Sequence, residues 1–377
     1  MITRQVENQI KHRLGNGKAI IVMGPRQVGK TTLLSQLFKE HTDVLWLSGD
    51  DSDVQEMMSS MTAARMKMLL GNKKVLIIDE AQRISDIGLR LKVVIDQLPD
   101  VQVVATGSSS FQLASKVNEP LTGRKREFKL YPISFREMVE HTDLLTEKRL
   151  IPHRMTYGYY PEVVTSPGDE REILGELSTS YLYKDILQLD GINKPEKLVK
   201  LLQALARQIG NQISHREIGQ LIDLDPKTVE RYIDILEKNY IIFRLGSYSR
   251  NLRNELKNSK KIYFYDLGIR NAVISDFRAP ELRNDAGALW ENFAIVERLK
   301  QLEYNRQNHN LWFWRTVLQK EIDLIEEFDG QIKAAEFKWN PRKSVKAPIA
   351  FANAYPDASF QVITPANIED YLLSDSL

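Results

Sequence analysis

Two sets of residues in this chain have the types and the spacing to do chemistry. The first is Gly24-Pro25-Arg26-Gln27-Val28-Gly29-Lys30-Thr31, a complete G-x-x-x-x-G-K-[ST] pattern followed by Thr32 and the helix-like TTLLSQLF. Glycines at both ends allow a tight loop whose amides converge on phosphate oxygens, and the helix behind it adds its positive end. Lys30 is expected to reach the β- and γ-phosphates and the Thr31 hydroxyl to ligate Mg²⁺, so residues 24–32 are expected to cradle ATP·Mg. Asp79-Glu80, at the end of KVLIIDEAQ, supplies the matching carboxylates. Asp79 is expected to hold the Mg²⁺ through water and Glu80 to polarise the attacking water. A polar side chain at the end of VQVVATGSSS can touch the γ-phosphate or that water. Ser108 is the favoured candidate, with helix capping by Ser108, Ser109 or Ser110 as the alternative. Arg124 in LTGR is either an arginine finger that stabilises the transferring phosphoryl group or part of a surface basic run with Lys125, Arg126 and Lys129.

The second set is Asp323 with Glu336-Phe337-Lys338, preceded by Glu291. An Asp329-Gly330 turn makes a hairpin of 321–327 and 331–339, and strand alternation lets Asp323, Glu336 and Lys338 face one side. Asp323 and Glu336 could then bind Mg²⁺, with Lys338 orienting a water and Glu291 adding a ligand from the preceding helix. The alternative is a cross-strand ion pair in a fold without hydrolytic activity.

The elements that must position these residues follow from periodicity. Apolar runs at 20–23, 44–49, 74–78 and 101–105, each followed by helical pattern, predict a parallel sheet with helices on both faces. A methionine-rich helix is expected over 54–70, its methionines read as core filler rather than as a partner surface. Residues 135–195 read as mostly helical, interrupted by Pro152, Pro161, Pro167 and Pro195, and are expected to form a lid over the nucleotide. Helices over 214–222 and 226–239, then strands at 241–245 and 262–265, are in the order of a winged helix-turn-helix. Lys227, Thr228 and Arg231 would face a DNA groove, opposed by Glu230, Asp234 and Glu237; Arg244, Arg250, Arg253, Lys257, Lys260 and Lys261 would make a basic wing. The alternative use of such a unit is protein docking. Helix 287–302, strands at 311–316, 321–327 and 331–339, a helix near 343–354 and a strand at 360–364 follow the order of a restriction-endonuclease-like core. Trp290, Trp312, Trp314 and Trp339 are read as core rather than as base-stacking platforms.

GPRQVGKTTLL, VLIIDEAQR, VVATGSSS, LTGR and LYPISFREM together resemble the bacterial and archaeal AAA-type ATPases, in particular the subgroup with an appended DUF4143 region. Tyr181–Leu187 (YLYKDIL) resembles that family too, whereas Gly158-Tyr159-Tyr160-Pro161 departs from its usual Gly-Gly-aromatic-Pro. The resemblance spans essentially the whole chain. It implies an ATPase core, a winged-helix-like unit and a nuclease-like C-terminal fold.

The expected architecture is therefore α/β: a P-loop NTPase core at 1–135, a helical lid at 136–197, a winged-helix-like domain at 198–280 and a small α/β restriction-endonuclease-like domain at 281–377. With 377 residues, 27% charged and 42% hydrophobic, the chain is long enough for two or three globular domains. Zero cysteines exclude disulfides, cysteine-zinc sites and thiol chemistry, and fit a reducing, cytoplasmic setting. No apolar run reaches the ~18–20 residues of a membrane span, and the N-terminus lacks the core of a secretion signal. A net charge of +2 confines any nucleic-acid site to a local patch. The leading reading is an ATPase coupled to DNA engagement, with metal-dependent cleavage in the C-terminal region. The rival is a nucleotide-gated switch that docks protein partners and cuts nothing. In a ring Arg124 would act on a neighbouring chain, in a monomer on its own.

Overall fold

The computed structural model describes residues 1–108, 117, 120–179, 194–248, 260–343 and 345–374. These form two compact units, one of residues 1–132 with 238–240, the other of 133–237 with 241–377.

The first unit is built on five parallel strands: β1 (Ala19–Met23), β2 (Val44–Ser48), β3 (Val75–Asp79), β4 (Gln102–Gly107) and β5 (Lys125–Lys129). Their order is β2-β3-β4-β1-β5. All five residues of β1 are buried, as are the first four of β3, which is why these two read as unbroken apolar runs. Strand β5 has no such signal. Its sequence KREFK buries only Phe128, because it lies at the sheet edge beside β1. The flanking helices are α1 (Gln5–Lys11), α2 (Lys30–Leu37), α3 (Ser52–Ser59), α4 (Ala63–Leu70) and α5 (Ile87–Gln97). The single helix expected over 54–70 is thus two. Asp51 caps the first by accepting from the Asp53 amide at 2.9 Å, and Thr62 caps the second through the Arg65 amide. Of the methionines, Met58, Met61 and Met66 are core, while Met68 is exposed.

The second unit holds helices α6 (Phe135–His141), α7 (Leu144–Tyr157), α8 (Pro161–Thr165), α9 (Glu170–Thr179), α10 (Pro195–Arg207), α11 (His215–Ile222), α12 (Pro226–Lys238), α13 (Leu267–Val273), α14 (Ala286–Tyr304), α15 (Ile349–Ala354) and α16 (Ile368–Leu372). Its sheet has seven strands, in the order β12-β11-β10-β9-β7-β8-β6. These are β6 (Gln212–Ile213), β7 (Ile242–Ser247), β8 (Lys260–Phe264), β9 (Asn310–Arg315), β10 (Glu321–Phe328), β11 (Gln331–Phe337) and β12 (Ser359–Ile363). The segments expected as separate domains at 198–280 and 281–377 therefore share one sheet. The seam is Gly246 and Ser247 of β7, parallel to Trp312 and Phe313 of β9.

The stretch expected as a lid is not a body of its own. Its described helices are pinned inside the second unit. The Asp266 carboxylate accepts the Tyr159 amide at 2.7 Å, and Asn271 Nδ2 donates to the Met155 and Thr156 carbonyls at 3.0 and 2.8 Å. Glu297 on α14 accepts the Phe135 amide at 2.6 Å and pairs with Lys300 at 2.6 Å. Gly158 is required here: a Cβ would fall 2.2 Å from Asp266 Oδ1, and its φ is +74°. Gly158-Tyr159-Tyr160-Pro161 is thus a packing joint between α7 and α13. Residues 181–187 lie outside the described residues. Trp290 and Trp314 are core, Trp290 stacking on Phe293 and donating from Nε1 to the Ile363 carbonyl at 3.2 Å. Among the described residues, no helix is long and apolar enough to cross a membrane.

Candidate functional site

Residues 24–29 form the turn between β1 and α2, at the carboxyl edge of the five-stranded sheet. Gly24 donates to the Gly107 carbonyl at 3.3 Å, and a Cβ there would lie 2.0 Å from the Leu130 carbonyl oxygen. Only glycine lets the loop leave β1 between β4 and β5. Gly29 caps α2 at φ +89°, so Lys30, Thr31 and Thr32 are its first turn and their amides face out of the helix end. Arg4 ties the base of the loop down, donating to the Val28 carbonyl at 2.8 Å and the Tyr131 carbonyl at 2.6 Å.

Lys30 is buried and folds back on the loop, donating from Nζ to the Gly24 and Pro25 carbonyls at 3.0 and 2.8 Å. Thr31 Oγ1 donates to Asp79 Oδ2 at 2.7 Å, although the two residues are 48 positions apart. The strand order explains this meeting: β4 separates β1 from β3, and all three end at one edge. Thr106, at the end of β4, donates its hydroxyl to Asp79 Oδ1 and accepts the Glu80 amide at 3.1 Å. Glu80 itself has a left-handed backbone, φ +48°, which turns its side chain off the axis of β3. Its Oε2 accepts from Gln82 Nε2 and from Ser108 Oγ at 3.3 Å, and Gln82 Nε2 also reaches Ser108 Oγ at 3.1 Å.

The structure thus brings together Lys30, Thr31, Asp79, Glu80 and Ser108. It adds two residues that the sequence reading passed over, Thr106 and Gln82. Thr106 stands one step before the glycine that ends β4, and Gln82 two steps past the acidic pair. Strand alternation at that edge could have singled out Thr106; nothing local marks Gln82. Ser109 and Ser110 lie outside the described residues. Arg124 is not brought to the loop. It precedes β5, at the opposite edge of the sheet, and its Nε donates to Asp96 Oδ1 at 2.6 Å. The five residues of β5 at ~3.3 Å each hold it about 16 Å from the loop, which rules out a finger acting on its own chain's nucleotide.

In the second unit, the β10–β11 register pairs Leu324 with Ala335, and one step further sets Asp323 opposite Glu336. Asp323 Oδ2 accepts the Phe337 amide at 2.8 Å, and Lys338 Nζ donates to Glu336 Oε1 at 2.6 Å. Glu291 arrives from α14, where its Oε1 accepts from the Tyr263 hydroxyl at 2.6 Å. Burial, with the neighbouring charges of Glu291 and Glu336, pushes the Asp323 carboxyl well above its ordinary range.

The expected metal set of Asp323, Glu336 and Glu291 does not assemble. Among the described residues, no three His, Asp or Glu side chains are grouped as a metal ion needs. Lys261 of β8 enters the cluster instead, its Nζ 3.0 Å from Glu291, 2.5 Å from Glu321 and 4.0 Å from Asp323. A resident cation therefore already holds the place, and the donor set does not fit a divalent metal.

Arg250, Arg253 and Lys257 lie outside the described residues, and Lys261 is buried. Arg244 pairs with Asp234 at 2.7 Å and with Glu237. On α12, Lys227, Glu230 and Arg231 remain exposed.

A phosphate loop on β1 and an Asp-Glu pair on β3, with β4 between the two strands, define a P-loop NTPase fold. Family comparison agrees. An AAA domain matches residues 16–139, a domain of unknown function (DUF8612) residues 148–280, and a second such domain (DUF4143) residues 286–374. The chain thus carries both an AAA domain and, toward its C-terminus, a DUF4143 region. It is 27% identical over 347 residues to an uncharacterized protein of Mycobacterium tuberculosis, covering 91% of this chain and 75% of that one. An uncharacterized protein of Methanocaldococcus jannaschii is 22% identical over 342 residues, covering 85% and 74%. Among solved structures, the Walker-type ATPase of Pyrococcus abyssi superposes with a TM-score of 0.51 at 15% identity, covering 73% of this chain and 96% of that one. That likeness is one of fold.

Proposed function

We propose that this chain hydrolyses ATP at the loop of residues 24–31 and uses the cycle to govern engagement of DNA. One observation carries the first part: Thr31, Asp79 and Thr106, from three different elements, are joined by hydrogen bonds directly beneath the loop. The Thr31 hydroxyl and the Asp79 carboxylate suit a Mg²⁺ ion, an oxygen-only pair at a helix start. When bound, Mg²⁺ neutralises charge on the β- and γ-phosphate oxygens. The remaining work falls to the protein. The loop amides and Lys30 hold the phosphates, so Lys30 must exchange its two carbonyl partners for phosphate oxygens. Glu80 takes the proton of the attacking water, and Thr106 keeps Asp79 and the Glu80 amide in register. Gln82 and Ser108 hold Glu80 and must yield it, or turn with it, when the γ-phosphate is present.

The DNA part rests on α11 and α12, read as the helix-turn-helix of a winged helix, with Lys227, Thr228 and Arg231 at the amino end of α12. Arg244 spends its charge neutralising Asp234 and Glu237, two of the three carboxylates that would repel phosphate from that helix. A protein-docking role is favoured by the same pairing, since it also removes a wing cation. Metal-dependent DNA cleavage forms no part of the proposal, because Lys261 holds the position a metal would need. The direct test is phosphate release from ATP with and without duplex DNA. Turnover lost in Lys30→Ala and raised by DNA supports the reading; turnover that Lys30→Ala leaves intact defeats it.

A further inference from the structure

The carboxylates of the β10–β11 hairpin and α14 form an acidic pocket that contains its own cation. Glu291, Glu321, Asp323 and Glu336 supply up to four negative charges; Lys338 pairs with Glu336 at 2.6 Å and Arg315 with the outer oxygen of Glu321 at 3.4 Å, which leaves Glu291 and Asp323 without a direct partner among these two cations. Lys261 is 2% exposed, and its ammonium contacts Glu291 at 3.0 Å and Glu321 at 2.5 Å, with Asp323 at 4.0 Å. Its position over the Phe313 ring, 5.4 Å from Nζ to the centroid, keeps it there. Tyr263, on the same strand two residues on, donates to the other side of Glu291 Oε1. An uncompensated acidic pocket this deep would have to protonate or take up a cation. A divalent ion binds carboxylate oxygens at about 2.0–2.6 Å and would need the volume that the ammonium fills.

We propose that Lys261 is a built-in replacement for a metal ion. The natural chain then binds no divalent cation at Asp323, and removal of the ammonium frees Glu291, Asp323 and Glu336, which are not grouped around an ion in wild type, to close on one. A lysine has one charge and three donors, so it satisfies the carboxylates without the Lewis acidity that phosphodiester cleavage requires. The pocket becomes a permanent fastening between β8, α14 and the hairpin, across the sheet seam at β7–β9.

The test is a Mn²⁺ titration of the full-length, nucleotide-free protein, counting bound ions by the loss of the free-Mn²⁺ electron paramagnetic resonance signal. Wild type and Asp323→Asn are expected to bind equal numbers of ions. Lys261→Met, which keeps the chain length over Phe313, is expected to bind one more per chain, and Lys261→Met with Asp323→Asn to lose it again. Lys261→Arg, which keeps a cation in place, is expected to match wild type. A wild-type ion that Asp323→Asn removes would overturn the proposal, as would a folded Lys261→Met that gains none. If Lys261→Met fails to fold, the comparison of wild type, Lys261→Arg and Asp323→Asn decides alone: equal ion counts uphold the occupied pocket and an Asp323-dependent ion ends it.

Discussion

Thr31 and Asp79 share a hydrogen bond of 2.7 Å across 48 residues of chain, and Thr106 binds the other oxygen of the same carboxylate. The carboxylate is therefore held from both sides before any ligand arrives, an arrangement that lowers the reorganisation needed on binding. Asp79→Asn keeps the shape but removes the charge. It is expected to reduce ATP turnover by about 10²-fold or more, with added Mg²⁺ recovering only part of it. Steady-state phosphate release against Mg²⁺ concentration checks this; an unchanged Mg²⁺ dependence would move the ion elsewhere.

Glu80 is placed to take a proton and not to bind nucleotide. Glu80→Gln is accordingly expected to lower turnover by about 10²–10⁴-fold while ATP affinity stays within a few-fold of wild type. Isothermal titration with ATP, alongside single-turnover kinetics, separates the two. Weakened binding with normal turnover per bound ATP would contradict the assignment.

Gly158→Ala tests the joint between α7 and α13. Its Cβ would collide with the Asp266 carboxylate, which must move and surrender the Tyr159 and Ile269 amides. The variant is expected to lose about 2–3 kcal/mol from the unfolding of the second unit. A denaturant titration followed by tryptophan fluorescence reads this, since all tryptophans but Trp46 belong to that unit. A wild-type midpoint would show that the joint is slack.

Glu326 sets an acid limit on stability. Burial alone would raise its carboxyl, but hydrogen bonds from His309 and Arg298 outweigh that and hold it at about 2, against an ordinary 4.5. A depressed carboxyl contributes stability that is present above pH 4.5 and is lost as pH falls toward 2. The contribution is on the order of 3 kcal/mol for a buried group. Glu326→Gln is expected to be destabilised at neutral pH and to lose less than wild type between pH 5 and 2, as measured by denaturant midpoints across that range.

Lys227 and Arg231 carry the DNA reading. Neutralising both is expected to weaken duplex binding uniformly across sequences and to flatten the dependence on log salt by about one unit per lost phosphate contact. Fluorescence anisotropy over a salt series measures it. An affinity and slope equal to wild type would favour protein docking by this unit.

The phosphate loop and the acidic pair were legible from residue order alone. Their geometry is fixed by short covalent spacing: an apolar strand, a glycine turn and a helix start leave little freedom to the atoms that meet a phosphate. The alternating apolar runs likewise declared the parallel sheet, because strands buried on both faces must be apolar throughout. Strand β5 escaped, since its sequence KREFK carries no apolar run and buries only Phe128.

What the order of residues left open was decided by groups that meet only after folding. By sequence Arg124 was equally a finger or a surface cation, and β5 places it at the amino edge of the sheet, away from its own chain's loop. Lys261 looked like a wing cation until β8 turned it into the pocket of Glu291, Glu321 and Asp323. The physical reason is the same in both cases. A charge has a role only in relation to its neighbours, and in this chain those neighbours come from strands and helices far away in sequence, so their identity follows from sheet order rather than from any local pattern.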